Sequence, residues 1–469
     1  MDPLAERFPR NGPGVRVPPH LGRVETASMR QFAAFWVLLA VLAPRIADGA
    51  RPGTRGCASL APRGDDTVTY EKSPPSSSSL LDSASVAVDL ADWMAEDAAT
   101  VYPRTLLELT LPGTHDSGAY FLTPQLMPDA RFPPSWAAAA IALAERLDVP
   151  VDRVITPWAL TQTLSVGQQL SAGFRYVDIR AGWNGTAWCA HHAEVGVEIA
   201  RVLRDVSDFL DEHPGEFVVA QVSHLDGDPG EARVRDLRTT IGEILRGKLV
   251  RVGADARKGT GEMGGTRSGS VSDSGGTARR REQPSLNRTV GEMVAEGERA
   301  LVVFGDGDYA LRVPSGSDAH DYDSYPRTHL WPPWTLHNSY ANSDDAKTMT
   351  DYVRARVAAF AAGTESPPGA LFKMSWTLTT QTRTVLESAL PGRPRSLREL
   401  DAEAAPLLAP FANDIVSQGC RAGNILSVDF AERSDAVAVA RTMNALPVGT
   451  ACALGSEGST ATGEPNAFV

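Results

Sequence analysis

Short apolar runs recur along this chain, and amphipathic segments separate them. Leu106 to Leu111, Phe174 to Ile179, Phe217 to Val222, Ala300 to Phe304, Leu371 to Trp376 and Ile425 to Phe430 are nearly continuous in apolar character. That is the pattern of strands buried on both faces. Between them, Ile199, Val202, Leu203, Val206 and Leu210 return at helical spacing, as on the inner face of an amphipathic helix. Ser434 can cap a further helix carrying Val437, Ala440 and Leu446, because a serine hydroxyl accepts from the free N–H groups of a first turn. Strands alternating with helices from about residue 100 to residue 450 predict one α/β unit with a parallel sheet, either a barrel or an open doubly wound sheet. No internal repeat is found.

Other segments do not fit a core. The apolar run Phe32 to Ala43 falls short of the about 20 residues that a spanning helix needs. Arg30 precedes it and the small residues Ala47 to Ala50 follow, so residues 1–50 are expected to be a secretory signal peptide with a long n-region. Met29 is a second candidate start, and an uncleaved signal anchor is the alternative reading. Residues 51–80, rich in Pro, Ser, Gly and Arg, read as a disordered linker. A stretch at about 253–285 has almost no apolar residues and is expected to be a disordered insertion within the domain, which spans 81–452. Residues 453–469 read as a disordered tail without the apolar stretch of a GPI signal.

Charge and cysteine content narrow the classes. With 45 basic and 57 acidic residues the net charge is −12. That argues against a nucleic-acid partner and against simple adhesion to an anionic membrane. Hydrophobic residues make up 42% and charged residues 22%, enough apolar content for a full core. The 4 cysteines are too few for a disulfide scaffold and match no zinc spacing. In a secretory compartment Cys420 and Cys452 are candidates for a disulfide. The sequons at Asn184 and Asn287 are candidate glycosylation sites.

Polar residues gather where the predicted strands end. Leu111 to Gly118, which reads Leu-Pro-Gly-Thr-His-Asp-Ser-Gly, follows the first strand. Asp178-Ile179-Arg180 ends the second, His191-His192 closes the short run Ala187 to Ala190, and Asp429 lies in the last. In a parallel barrel these ends share one mouth. Two histidines there suit phosphodiester cleavage: one takes a proton from an attacking hydroxyl, and the other protonates the leaving oxygen. A carboxylate against each imidazole fixes its tautomer, and a guanidinium stabilises charge on phosphoryl oxygens.

Plainer uses exist for the same residues. His115 and Asp116 could close a turn, and Arg180 could pair with Asp178 or Glu194. His191 and His192 could be one surface and one core histidine. Asp429 in an apolar strand needs a partner. His115, Asp116, Asp178 and His192 could ligate a cation, although the fixed charge of Arg180 would repel it.

The motif at 111–118 resembles the opening of the phosphatidylinositol-specific phospholipase C X-domain family. The likeness continues through Gln168-Gln169-Leu170, Gly173 to Arg180, His191-His192, Phe209-Leu210 and His213 to Val219. It ends with Leu330 to Trp334, Asn338 to Asn342 and Asn424 to Phe430. The resemblance implies a distorted TIM-type (β/α) barrel of the α/β class and a phosphoric diester hydrolase. By motif, His115 is the general base and Asp116 the carboxylate supporting the acid histidine. Arg180 is the phosphate-stabilising arginine, Asp178 its partner in the strand, His192 the general acid and Asp429 the partner of His115. Ala193 stands where the family usually has Gly.

Calcium-dependent members carry Asn after the first histidine and an acidic residue in place of Arg180. His115-Asp116 and Asp178-Ile179-Arg180 instead match the bacterial, metal-independent type, so no metal or other cofactor is expected. The implied partner is a phospholipid or glycolipid phosphodiester at a membrane surface, with no obligate protein partner. His224 is a candidate substrate contact, because bacterial members place a basic residue just past the fourth strand. Trp331, Trp334 and Trp376 could form an apolar rim. Two alternatives remain, a metal-dependent glycerophosphodiesterase barrel and a catalytically silent lipid- or glycan-binding barrel. The chain lacks the His-Arg-Gly start and Glu-x-Asp pair of the first, and its two histidines count against the second.

Overall fold

The computed structural model describes residues 56–57, 90–123, 125–128, 152–252, 286–305, 329–388 and 392–454. All of them belong to the second of two units, which begins at Arg51. The expected signal peptide and insertion lie outside the described residues. So do the linker, apart from Gly56 and Cys57, and the tail beyond Leu454.

Among the described residues, eight strands pair in parallel. They are β1 (Leu111–Thr114), β2 (Tyr176–Trp183), β5 (Val218–Asp226), β6 (Ala300–Phe304), β7 (Leu330–Trp331), β8 (Leu336–Ser339), β9 (Leu371–Trp376) and β10 (Ile425–Val428). Their order is β7-β6-β5-β2-β1-β10-β9-β8. This is the circular order of a TIM-type barrel, with a seam where β7 and β8 meet without a ladder among the described residues. An antiparallel hairpin of β3 (Trp188–His192) and β4 (Glu194–Glu198) extends β2 on the mouth side. The fold is therefore a distorted α/β barrel.

Several element boundaries differ from the pattern-based expectation. Leu106–Glu108 is a short 3-10 turn, not a strand. The Glu108 carboxylate accepts from the Thr105 N–H at 2.9 Å, a local cap that outweighs the apolar character around it. β1 begins at Leu111, where the expected strand ended. β2 and β5 run beyond their apolar runs, and β10 stops at Val428, before Asp429. Ser434 accepts from the Ala436 N–H at 3.1 Å, but the helix Ala436–Asn444 ends before Leu446.

Strand alternation sorts side chains between lumen and wall. Val177, Ile179 and Ala181 of β2 face outward, in one cluster with the helix Ile199–Glu212. Tyr176 faces inward with Leu111, Val219, Leu301, Leu371 and Ile425. That layer makes an apolar floor, which Trp93, Met94 and Phe217 close from below. Further along the same inward rows stand Asp178, Gln221, Lys373 and Ser427, so the lumen turns polar toward the carboxyl ends of the strands.

The floor is sealed by Arg175 and Glu216, both wholly buried. Arg175 Nε donates to Glu216 at 2.7 Å, and its other nitrogens donate to the carbonyls of Leu170, Phe174, Leu90 and Ala91. Glu216 also accepts from the Met94 and Ala95 N–H groups.

Candidate active site

The loop after β1 is tied directly to β2. Ser117 N–H donates to the Asp178 carbonyl, and Asp178 N–H donates to Ser117 Oγ, each at 2.7 Å. Thr114 Oγ1 donates to Gln169 Oε1 at 2.7 Å, and Gln169 Nε2 donates to the Ser117 carbonyl at 3.0 Å. Thr114, Ser117 and Gln169 are thus the frame of the motif. Gly118 has a separate reason: a Cβ there would lie 2.5 Å from the Ala190 Cβ. Only glycine lets this loop press against β3, the strand that ends in His192.

His115 is held from both sides. Its Nδ1 is 2.8 Å from Asp429 Oδ1, and its Nε2 is 2.8 Å from Arg180 Nη2. A guanidinium can only donate, so Nε2 carries the lone pair and the proton sits on Nδ1, donated to Asp429. Burial and then the charge of Arg180 push His115 down to about 3. The imidazole is neutral, and its Nε2 lone pair is held by the Arg180 guanidinium. Burial holds Asp429 well above the usual carboxylate range, and its Oδ2 has no hydrogen-bond partner.

His192 faces His115 across 6.3 Å between ring centroids. Its Nδ1 donates to the Ala159 carbonyl at 2.7 Å, so Nε2 is the nitrogen left for chemistry. Burial, then Arg180 and His115, push it down to about 3. Asp116 Oδ2 lies 3.6 Å from both His192 Nδ1 and Arg180 Nε. Burial pushes Asp116 up to about 8. Arg180 stays charged despite burial, because Asp116, Asp178 and Asp429 surround it. The backbone bends at this cluster: Asp116, Ala193 and Phe430 have φ of 41°, 63° and 44°. Ala193 therefore occupies the left-handed conformation that glycine adopts without strain.

Asp178 differs from its expected role. Its ion-pair partner is Lys373 of β9, with Nζ 3.0 Å from Oδ2, and both residues are buried. Despite burial, Lys373 and Arg180 hold its carboxyl well below the usual range. Sequence reading missed Lys373, although a lysine inside the apolar run Leu371 to Trp376 was a usable signal. It also missed Gln162. Gln162 Nε2 donates to the carbonyls of His115 and Val428, and its Oε1 accepts from the Ala431 N–H. One amide so fastens the His115 loop to the Asp429 turn, and no local pattern announces it.

The remaining candidates fall around this centre. His224 is exposed at the end of β5 with φ 72°, and its Nδ1 is 3.0 Å from Ser223 Oγ. His191 turns to the other face of β3, buried, with its Nε2 3.7 Å from Asp226 Oδ2. Trp331 and Trp376 are core residues, so neither belongs to an apolar rim. The closest acidic partner of Arg180 is Asp116, not Asp178 or Glu194. Glu194 accepts from Thr156 Oγ1. Asn184 is buried, and its Oδ1 accepts from Thr186 and Ala187, so a glycan there would require this turn to open. Asn287 is exposed. Cys420 is joined to Cys452, and a second bridge, Cys57–Cys189, ties Cys57 to β3. Among the described residues no group of three His, Cys, Asp or Glu side chains is disposed to hold a metal ion.

The class is thus a TIM-type barrel whose polar cluster stands at the carboxyl ends of its strands. No family model matches the chain. PI-PLC X domain-containing protein 2 of Mus musculus is 32% identical over 141 residues, 29% of this chain and 39% of that protein. PI-PLC X domain-containing protein 3 of Danio rerio is 23% identical over 364 residues, 76% of this chain and 93% of that protein. The chain spans less than half the length of the first curated relatives that it matches. The phosphatidylinositol-specific phospholipase C of Listeria monocytogenes overlays with a TM-score of 0.44 at 17% identity, covering 76% of this chain and 98% of that one. The chain is thus similar to PI-PLC X domain-containing proteins.

Proposed function

We propose that this chain is a metal-independent phosphodiesterase that cleaves an inositol phospholipid or a related glycolipid at a membrane surface. The observation that carries this reading is the pair of opposed imidazoles. Each has its Nδ1–H engaged, by Asp429 or by the Ala159 carbonyl, and each leaves Nε2 to the mouth. Arg180 lies against the first of them.

In this mechanism the inositol 2-hydroxyl gives its proton to His115 Nε2 as its oxygen bonds to phosphorus. The bond from phosphorus to the glycerol oxygen breaks, and that oxygen takes the Nε2 proton of His192. Diacylglycerol and a cyclic inositol phosphate result. His192 must first gain a proton, and the negative phosphodiester placed beside it favours that. The same phosphate competes for the Arg180 guanidinium, which frees His115 Nε2 to act as base. Water can later open the cycle with the two imidazoles in exchanged roles.

A secretory location is part of the proposal, and two disulfides suit an oxidising compartment. The test is purified protein on phosphatidylinositol vesicles in EDTA, followed by 31P NMR for the cyclic phosphate. A cyclic product in chelator is expected. Activity that is lost in EDTA and restored by calcium would overturn the metal-free mechanism. No product from phosphatidylinositol or its glycosylated forms would overturn the substrate class.

A further inference from the structure

Lys373 stands in the middle of β9, 3% exposed, in a strand whose other residues are all buried. A lysine so enclosed keeps its charge only beside an anion. Its Nζ crosses the lumen to Asp178 Oδ2 at 3.0 Å and lies 5.3 Å from the Tyr176 ring centroid. Asp178 is two residues from Arg180 on the same inward row of β2. An unpaired carboxylate there would draw the guanidinium down into the lumen. Instead Arg180 reaches upward to His115 Nε2 at 2.8 Å.

We infer that Lys373 is a positioning residue for the His115 base. Its ammonium takes up the Asp178 carboxylate across the lumen, which leaves Arg180 to His115 and to the incoming phosphate, and it keeps a second fixed cation beneath the imidazole. The inference rests on His115 being the base of the proposed reaction. The groups around that imidazole divide by sign. Asp178 of β2 favours its protonation, whereas Asp429 after β10 and Asp116 in its own loop, whose carboxyls burial holds above the usual range, face it in their neutral form. Arg180 of β2, Lys373 of β9 and the His192 ring of β3 oppose it. Removing Lys373 deletes an opposing charge and also exposes the charge of Asp178. Both effects raise the protonation midpoint of His115.

The experiment is an NMR titration of histidine-labelled full-length protein, with the His115 signal assigned by its loss in His115→Gln. The wild-type midpoint is expected at about 3. Lys373→Met should raise it by at least about one pH unit, a tenfold change in proton affinity. Lys373→Arg keeps the charge and should stay within about half a unit. Asp178→Asn/Lys373→Met removes both charges together and should also return to within about half a unit. An unmoved midpoint in folded Lys373→Met overturns the inference. Where that variant does not fold, a rise of a full unit in Lys373→Arg or in the double variant does the same. The readout is protonation, not turnover, so failure to cleave any lipid would overturn the functional reading without touching this one.

Discussion

Arg175 immediately precedes β2 and Arg180 lies within it on the inward row, and the chain uses them in opposite ways. At the floor, all three nitrogens of Arg175 donate to protein acceptors, and Glu216 answers it while also holding two backbone N–H groups. At the mouth, Arg180 Nε has no hydrogen-bond partner, nor have both Asp116 oxygens and Asp429 Oδ2. Each buried polar group left so costs on the order of 1–3 kcal/mol. A completed network holds the barrel shut. An incomplete one keeps its donors and acceptors for a molecule that arrives from outside.

The sharpest way to break this contrast is at the mouth. His115→Ala and His192→Ala are each expected to lower turnover on phosphatidylinositol by at least about 100-fold, with little change in melting temperature. Arg180→Ala should lose roughly 100- to 1000-fold, as for removal of a charged transition-state donor. Near-wild-type turnover in any of the three would take that residue out of the mechanism.

At the floor the effect should be on stability. Arg175→Met strands the buried Glu216 and should cost about 3–5 kcal/mol in urea unfolding. Turnover per folded molecule should stay unchanged. Loss of turnover at full stability would erase the distinction between the two ends.

A smaller effect concerns pH. Burial pushes Asp116 up to about 8, and likewise Asp401, which is buried in the helix Leu397–Ala404. Between their unfolded and folded values the native state holds protons that the unfolded chain has released, so stability is lost as pH rises. His115 and His192, pushed down to about 3, oppose this trend only below their unfolded value near 6.5. Urea midpoints should therefore fall from pH 6.5 to pH 8.5, and Asp116→Asn should flatten the slope. An unchanged slope in Asp116→Asn would show that this carboxyl is ionised in the native state.

The smallest expected change is a gain. Ala193→Gly relieves a left-handed alanine and should stabilise the fold by about 1 kcal/mol. A loss of stability would show that the alanine methyl is needed for packing beside His192.

How far the sequence could be read depended on whether a signal was local. His115, Asp116, Arg180 and His192 are legible because ionisable groups interrupt turn and strand text at predicted strand ends. β6 and β9 are legible to the residue, since both runs are buried on both faces. Lys373 was hidden by its own strand, where five apolar or hydroxyl neighbours set the pattern. Gln162 had no local signal, because its three partners come from distant segments. The β3–β4 hairpin mixes buried and polar positions too closely for a period to emerge. Leu106–Glu108 was misread because a Thr105–Glu108 cap decides the turn against its two leucines.

The seam in the barrel wall bears on how the protein behaves in concentrated solution. A sheet that does not close leaves two rims of unpaired peptide groups, and such rims recruit other chains into shared sheets. Here one rim, β7, is only 2 residues long, and Pro332 and Pro333 follow it at once. Proline has no N–H to offer a docking strand. The 3-10 turn Pro333–Thr335 then carries the chain straight to β8. Among the described residues, this side of the barrel is thus a poor template for fibrous aggregation.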